Sequence, residues 1–261
     1  MSHSLRQQEI LEIAREQSRV TVEELVAHFE VTPQTIRKDL NELCDANILS
    51  RVHGGAVLSS GVANMGYEQR RDIATDEKRL IGELCAAQIP NNASLFMNIG
   101  TTTEAVARAL IHHRDLLVIT NNLNVANILI QNPSCEVIIA GGVLRRSDGG
   151  VIGEVTADFI NQFKVDYAVV GASAIDEDGA LLDYDYREVR VAQAILKNAR
   201  HTYLVADRMK LQRSAPVRIA HISQISTFFT DEMVSDKLRQ VCARHDVNIV
   251  DASHPSAGQP D

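Results

Sequence analysis

The feature that most restricts what this chain can fold into is a pair of helix starts in close succession near its amino terminus. Thr21-Val-Glu-Glu24 has the form of a capping box, in which the threonine hydroxyl accepts from the Glu24 amide and the glutamate reaches back. A helix starting there carries Leu25, Val26 and Phe29 inward. Glu30-Val31 leaves room only for a turn before Thr32, a second N-cap residue. Pro33 then takes the first helical position, where a missing amide hydrogen costs nothing. Ile36, Leu40 and Leu43 form a core stripe, which puts Gln34, Thr35, Arg37, Lys38 and Asn41 on the opposite face. An earlier amphipathic helix, marked by Leu5, Ile10, Leu11 and Ile13, ends before Ser18-Arg19. After Asn47, the stretch from Ile48 to Val57 reads as two short strands about a glycine turn.

Two short helices joined by a tight turn, the second polar and basic near its start, fit a major groove. The strands then form a wing. Gln and Asn side chains can pair two-pronged with adenine, while Arg and Lys reach guanine edges or phosphates. The candidate DNA contacts are therefore Thr32, Gln34, Thr35, Arg37, Lys38 and Asn41, joined by Arg51 and His53 of the wing. Charge argues the other way. The formal net charge is −8, and up to Val57 the acids outnumber the bases, so any positive field must be local. A three-helix packing module with a solvated polar face is the competing reading. The arrival of capped helices, turn and wing in order favours a winged helix-turn-helix over residues 1–58.

The small, glycine-containing run Leu58 to Gly66 marks a hinge, and residues 59–74 read as a linker. From Thr75 to residue 253, aliphatic strands alternate with helices. A helix runs through Leu80, Leu84 and Ile89, and another spans Thr102 to Ile111. Strands are expected at Ser94–Ile99, Leu116–Thr120, Glu136–Ala140, Tyr167–Gly171 and Thr202–Ala206. That alternation implies an α/β domain with a mostly parallel sheet and helices on both faces. Residues 254–261 read as a frayed tail.

Ligands of such sheets bind at the carboxyl ends of strands. There the chain carries Ile99-Gly-Thr-Thr-Thr-Glu104, Thr120-Asn-Asn-Leu-Asn124 and Ala140-Gly-Gly142. Free amides at a helix start favour a phosphate, and amides and hydroxyls suit a polyol. Each stretch has a bland reading as a turn or cap, but three after consecutive strands point to a phosphate-ester or polyol pocket.

Arg6, Ile10, Thr32-Pro-Gln-Thr-Ile-Arg-Lys-Asp-Leu40 and the Arg-x-His-Gly-Gly-Ala wing at Arg51 to Ala56 resemble the signature of the deoxyribose-operon-repressor (DeoR) family. Ala14 stands where the family usually has a larger aliphatic residue. The second domain also resembles that family's effector domain, which is related to ribose-5-phosphate isomerase. Within the family, Thr120 to Asn127, Gly149 to Glu154 with Asp158-Phe-Ile160, and Asp183 to Arg190 look closest to members governing glycerol-3-phosphate. The resemblance implies a cytoplasmic repressor of glycerol-3-phosphate uptake and catabolism genes, relieved by glycerol-3-phosphate. It implies effector contacts at Gly100, Thr101, Thr102, Asn121, Asn122, Gly141, Asp207 and Lys210, with double-stranded operator DNA and further copies of the chain as partners. Most members have a lysine in place of Ala192 and a different loop where this chain has Asp207-Arg-Met-Lys-Leu-Gln212, so another sugar phosphate is the alternative effector.

An enzyme is the other class to weigh, because the related isomerases use carboxylate bases. Asp176, Asp178, Asp183, Asp185 and Glu188 are candidates, but no pattern specifies a positioned, tuned base among them. Asp176-Glu-Asp-Gly179 is a turn signal. No catalytic residue and no cofactor is expected. Cys44, Cys85, Cys135 and Cys242 lack metal-site or redox-pair spacing, and the His112-His113 pair reads as a helix end, so no metal is expected. No apolar run is long enough to span a membrane.

Overall fold

The computed structural model describes residues 4–17, 19–45, 48–52, 54–58 and 66–253. Its first part contains α1 (Leu5–Gln17), β1 (Arg19–Thr21), α2 (Val22–Phe29), α3 (Pro33–Asp45), β2 (Leu49–Val52) and β3 (Gly55–Leu58). Both caps form as expected. The Glu24 amide donates to Thr21 Oγ1 at 3.2 Å while the Thr21 amide donates to Glu24 Oε2 at 3.0 Å. At the next helix the Thr35 amide donates to Thr32 Oγ1 at 3.3 Å.

Ile36, Leu40 and Leu43 are buried with Ile10, Leu11, Ala14, Leu25 and Ala56. The wing has a third strand that the sequence reading did not include. β1 pairs antiparallel with β3, which in turn pairs with β2. This explains the second glycine of the turn. A Cβ on Gly55 would meet the Val20 carbonyl oxygen at 1.9 Å, so β1 can lie this close only to glycine. Leu5, expected on the apolar face of α1, is 86% exposed. The buried face there is Ile10, Leu11 and Ala14, and the smaller residue at Ala14 fits a fully buried position.

The second part begins with α4 (Tyr67–Asp72) and α5 (Thr75–Ala87). It continues through β4 (Ser94–Met97), α6 (Thr101–Ala109), β5 (Leu116–Thr120), α7 (Leu123–Leu129) and β6 (Cys135–Ile139). A small hairpin, β7 (Val143–Leu144) and β8 (Val151–Ile152), leads to α8 (Glu154–Ile160) and β9 (Val165–Val170). Then follow β10 (Ala174–Ile175), β11 (Ala180–Asp183), α9 (Tyr186–Lys197), β12 (Ala199–Val205) and β13 (Val217–His221). β14 (Thr227–Thr230), α10 (Asp236–Arg244) and β15 (Asn248–Asp251) complete it.

Seven strands form one sheet in the order β15-β14-β12-β9-β4-β5-β6, and every neighbouring pair is parallel. Its central strands β4, β5 and β9 are largely buried on both faces, which is why they read as continuous apolar runs. Leu95, Met97, Val118 and Val205 pack on one side with Ile81, Cys85 and Val106 of α5 and α6. Phe96, Ile119, Val170 and Leu204 pack on the other with Ile160, Val189, Ile195 and Leu238 of α8, α9 and α10. The chain moves outward from β4 through β5 to β6, then returns to β9 on the other flank of β4. The crevice between β4 and β9 is therefore the switch point, where such sheets bind ligands.

Three features differ from the sequence expectations. On α5, Ile81 is fully buried and Leu80 is 40% exposed, because the helix packs through Ile81, Cys85 and the Gly82 backbone rather than through Leu80. Part of the expected linker, Tyr67–Asp72, is the helix α4. The strands β10, β11 and β13 make a small antiparallel sheet of their own, and Asp176 to Gly179 is its hairpin turn. The run 59–65, the tail 254–261 and His53 lie outside the described residues.

Candidate functional sites

On α3, Gln34, Arg37, Lys38 and Asn41 are exposed, Thr32 stands exposed at the cap, and Thr35 is half-buried beneath it. Arg51 belongs to β2, though the structure does not describe its side chain. Several of the acids that weighed against DNA are engaged within the module. Asp39 is buried and accepts from Arg6 Nε, Glu42 accepts from Gln7 Nε2 at 2.6 Å, and Glu9 lies 2.9 Å from His28 Nε2. Glu24 serves the capping box. The exposed side chains on α3 thus retain local positive charge and two-pronged amides despite the acidic total.

The second candidate site lies at the carboxyl ends of β4, β5, β9 and β12. Gly100, at φ 148°, turns the chain from β4 into α6 with no side-chain cap. The first amides of that helix consequently have no intrahelical acceptor. Thr103 Oγ1 turns back to the carbonyls of Asn98 and Gly100 at 2.8 and 2.6 Å, while Thr102 is buried and Thr101 half-buried. Asn121 and Asn122 follow β5, both fully buried. The Asn122 side chain caps α7 by accepting from the Asn124 amide at 2.9 Å. Among the described residues, Asn98 Oδ1, Asn121 Oδ1 and Asn122 Nδ2 are buried without a hydrogen-bond partner, a costly state for amides. The β7–β8 hairpin covers this floor. The Val151 amide donates to the Asn121 carbonyl at 2.7 Å, and Asn121 Nδ2 donates to the Val151 carbonyl at 3.0 Å.

Asp207, buried after β12, caps the following turn by accepting from the Met209 amide. Burial, with Arg213 next in effect, pushes the Lys210 ammonium down to about 7 against the pull of Asp207, and Arg70 and Lys78 push the same way. Lys78, 6% exposed, is also lowered by burial and donates to the carbonyls of Arg70 and Ile73.

A cleft of about 600 Å³ opens between α4, the β7–β8 turn and the start of α9. Arg145 anchors it with a two-pronged pair to Asp148 at 2.8 and 2.6 Å, a contact to Asp185 at 3.2 Å and one to Glu188 at 2.6 Å. Burial, reinforced by Asp183, pushes the Glu188 carboxyl up to about 8, while Arg145 pulls it down. Burial, with the neighbouring carboxylates, outweighs the Arg145 contact at Glu188. On the α4 side, Tyr67 Oη donates to Glu104 at 2.9 Å, and Asn124 Nδ2 donates to both Glu104 and Tyr67 Oη at 3.0 Å. Burial, with Glu104, pushes the Tyr67 hydroxyl up to about 12.

Residues 6–61 match the DeoR-like helix-turn-helix domain, and residues 73–232 match the DeoR C terminal sensor domain. The chain belongs to the DeoR family. Relatives of this DeoR-family chain include the glycerol-3-phosphate regulon repressor of Escherichia coli (strain K12), 47% identical over 95% of this chain and 99% of the relative. The repressor of the same name from Haemophilus influenzae is 48% identical over 89% and 91%. Among solved structures, ribose 5-phosphate isomerase A from Methanocaldococcus jannaschii is similar over 52% of this chain and 54% of its own, at 14% identity and a TM-score of 0.39.

The DeoR-family chain is thus a DNA-binding transcriptional regulator whose α/β domain is a sensor, not an enzyme. Of the carboxylates weighed as bases, Asp176 and Asp178 stand exposed in a hairpin turn and Asp185 caps α9. Asp183 accepts from Ser173 Oγ at 2.9 Å. The structure brings Gly100, Thr101, Thr102, Asn121 and Asn122 to adjoining strand ends, and places Asp207 and Lys210 across the switch point. Gly141 stands at the next strand end in the same row, where β6 pairs with β5 and the Ala140 amide donates to the Thr120 carbonyl at 2.9 Å. It follows the edge strand β6, is exposed, and gives its carbonyl to Thr156 Oγ1 at 3.0 Å. The sequence reading missed Asn98, Tyr67, Arg70, Lys78, Glu104, Asn124 and Arg145. Of these only Glu104 and Asn124 sat in the loop motifs already singled out. Among the described residues no His, Cys, Asp or Glu cluster could hold a metal, the cysteines are free thiols, and no helix is long and apolar enough to cross a membrane.

Proposed function

We propose that this chain represses genes for glycerol-3-phosphate uptake and catabolism in the cytoplasm, and that glycerol-3-phosphate in the sensor domain releases it from its operator. The observation that carries this reading is the near full-length likeness to glycerol-3-phosphate regulon repressors, spanning both the reading module and the sensor. The geometry supports it. Free first-turn amides after Gly100, hydroxyls at Thr101 and Thr102, and the ammonium of Lys210 beside Asp207 suit a phosphoryl group. Asn121 and Asn122, with unpaired amide atoms beneath the β7–β8 hairpin, suit polyol hydroxyls once that hairpin opens.

Thr32, Gln34, Thr35, Arg37, Lys38 and Asn41 then read the major groove, with Arg51 and His53 on the wing. A two-fold operator with half-sites about 34–36 Å apart requires at least two copies, so the chain acts as a homo-oligomer. Another sugar phosphate is the second reading. It is favoured by Ala192, which is 1% exposed within α9 where a lysine is usual in the family.

Fluorescence anisotropy of the full chain on promoter DNA from a glycerol-utilisation operon of its own organism, titrated at fixed salt, tests the proposal. Tight selective binding released by glycerol-3-phosphate but not by glycerol is the expected result. Selective binding unmoved by glycerol-3-phosphate, but released by another sugar phosphate, would replace the effector. No selective binding would overturn the choice of operon.

A further inference from the structure

We infer that Arg70 is an anion-contacting residue of the sensor site, so that α4, the helix nearest the linker, supplies part of the wall around the ligand. This rests on the reading that the sensor takes a phosphorylated polyol, and it adds both a residue and a route to the DNA-binding module. Arg70 lines the cleft between α4 and the β7–β8 turn. Its side chain is 14% exposed, and its Nη2 lies 3.3 Å from Asp148 Oδ2. That carboxylate is already held two-pronged by Arg145 at 2.8 and 2.6 Å. Of the two cations on Asp148, Arg70 makes the longer contact, and a charged ligand can compete with that carboxylate for it.

The backbone of Arg70 is fixed at the same place. Its carbonyl accepts from Lys78 Nζ and, at 3.5 Å, from Thr101 Oγ1, which belongs to the first turn of α6. Arg70, Lys78 and Arg213 all act on Lys210, against the carboxylate of Asp207. These cations gather about Lys210 and Asp207, while Glu104 in the first turn of α6 is held by Tyr67 and Asn124, and Asn98 Oδ1 is left unpaired just after β4. A doubly charged phosphoryl group entering there draws the Arg70 guanidinium away from Asp148. Because Arg70 is part of α4, the first helix after the DNA-binding module among the described residues, that movement is carried into the element through which the two parts are joined in sequence.

The test is operator release by glycerol-3-phosphate in the full chain, comparing wild type with Arg70→Gln, Asp148→Asn and Arg70→Lys. Thermal melting of each variant checks its fold. Arg70→Gln is expected to raise the half-release concentration roughly tenfold or more, the scale of one lost charge-assisted contact. Asp148→Asn, which removes the competing carboxylate, is expected to lower it. If Arg70 serves only to hold Asp148, both variants raise it alike, and the inference is overturned. Arg70→Lys retains a cation without the fork and should fall between wild type and Arg70→Gln. A folded lysine variant as weak as a folded glutamine one overturns the charge argument, and if Arg70→Gln proves misfolded, a rise rather than a fall with Asp148→Asn overturns the inference. If wild type is released by a different sugar phosphate, the same series is read with that ester, and only the effector assignment changes. Release of wild type by no phosphorylated ligand overturns both.

Discussion

The recognition face of α3 is presented by one run of thirteen residues whose polar side chains stand mainly in solvent. The polar groups of the sensor crevice come instead from α4, α5, α6, α7, the β7–β8 turn and α9, and many are closed to solvent. The first arrangement leaves Gln34, Arg37 and Asn41 exposed, and Lys38 in no more than a long surface pair with Glu42 at 3.9 Å, open to phosphates and base edges. The second holds its charged groups in mutual pairs such as Arg145 with Asp148 and Tyr67 with Glu104, so a charged ligand meeting those groups must exchange one partner for another. On the proposed reading, that exchange is what makes the sensor a switch rather than a docking surface.

This contrast can be broken or sharpened experimentally. The largest effect is expected from Leu40→Ala, which empties a fully buried position behind the recognition face and should cost the module about 2–5 kcal/mol. Operator binding should disappear with the module's unfolding transition; retained binding would show that this core does not hold the reading face. Lys38→Ala should weaken operator binding by about 1–3 kcal/mol if it meets a base edge, and it should reduce the salt slope if it meets phosphate. Binding unchanged at physiological salt would remove Lys38 from the interface.

In the sensor, Thr101→Val should raise the half-release concentration of glycerol-3-phosphate by a factor set by about 1 kcal/mol, without unfolding the domain. Release at the wild-type concentration would remove that hydroxyl from the site. A pH effect comes next. A bound anion favours charged Lys210, whereas the free site holds its ammonium down to about 7. Binding therefore takes up a proton above that pH, and affinity should fall as pH rises from about 7 to 9, by at most about tenfold per unit. A flat titration curve would separate Lys210 from the ligand. The smallest effect is expected at Leu5→Ala, a large apolar residue in solvent, which should shift stability by no more than about 0.5 kcal/mol.

The DNA-binding module was legible in the sequence because its signals are local. Thr21 with Glu24 and Thr32 with Pro33 specify helix starts within a few residues, and Ile36, Leu40 and Leu43 repeat with the helical period. β1 was not legible, since Arg19 to Thr21 is too short to show alternation and its strand identity depends on pairing with Gly55 to Val57. The parallel sheet was legible from its doubly buried aliphatic runs, and the loops after β4 and β5 from their glycine, hydroxyl and amide residues. Arg70 and Lys78 carried no such signal. Each is an ordinary basic residue on a helix until the fold brings its carbonyl or ammonium to the start of α6. On α5 the expected face was one position out, because Leu80 and Ile81 are equally apolar and only Gly82, packed against the Ala105 backbone, shows which side meets α6.

The grip of the sensor on Tyr67 and Arg70 also sets where the protein can be cut. A hybrid regulator made by grafting another reading module at residue 73, where the sensor match begins, would discard Tyr67, and with it the hydroxyl that Glu104 and Asn124 share. It would also lose the Arg70 carbonyl to which Lys78 is fastened. Such a graft would keep the pocket floor and lose its transmission, giving a repressor deaf to its inducer. A junction placed before Gly66 carries the whole assembly across, and is the one from which an inducible hybrid should be built.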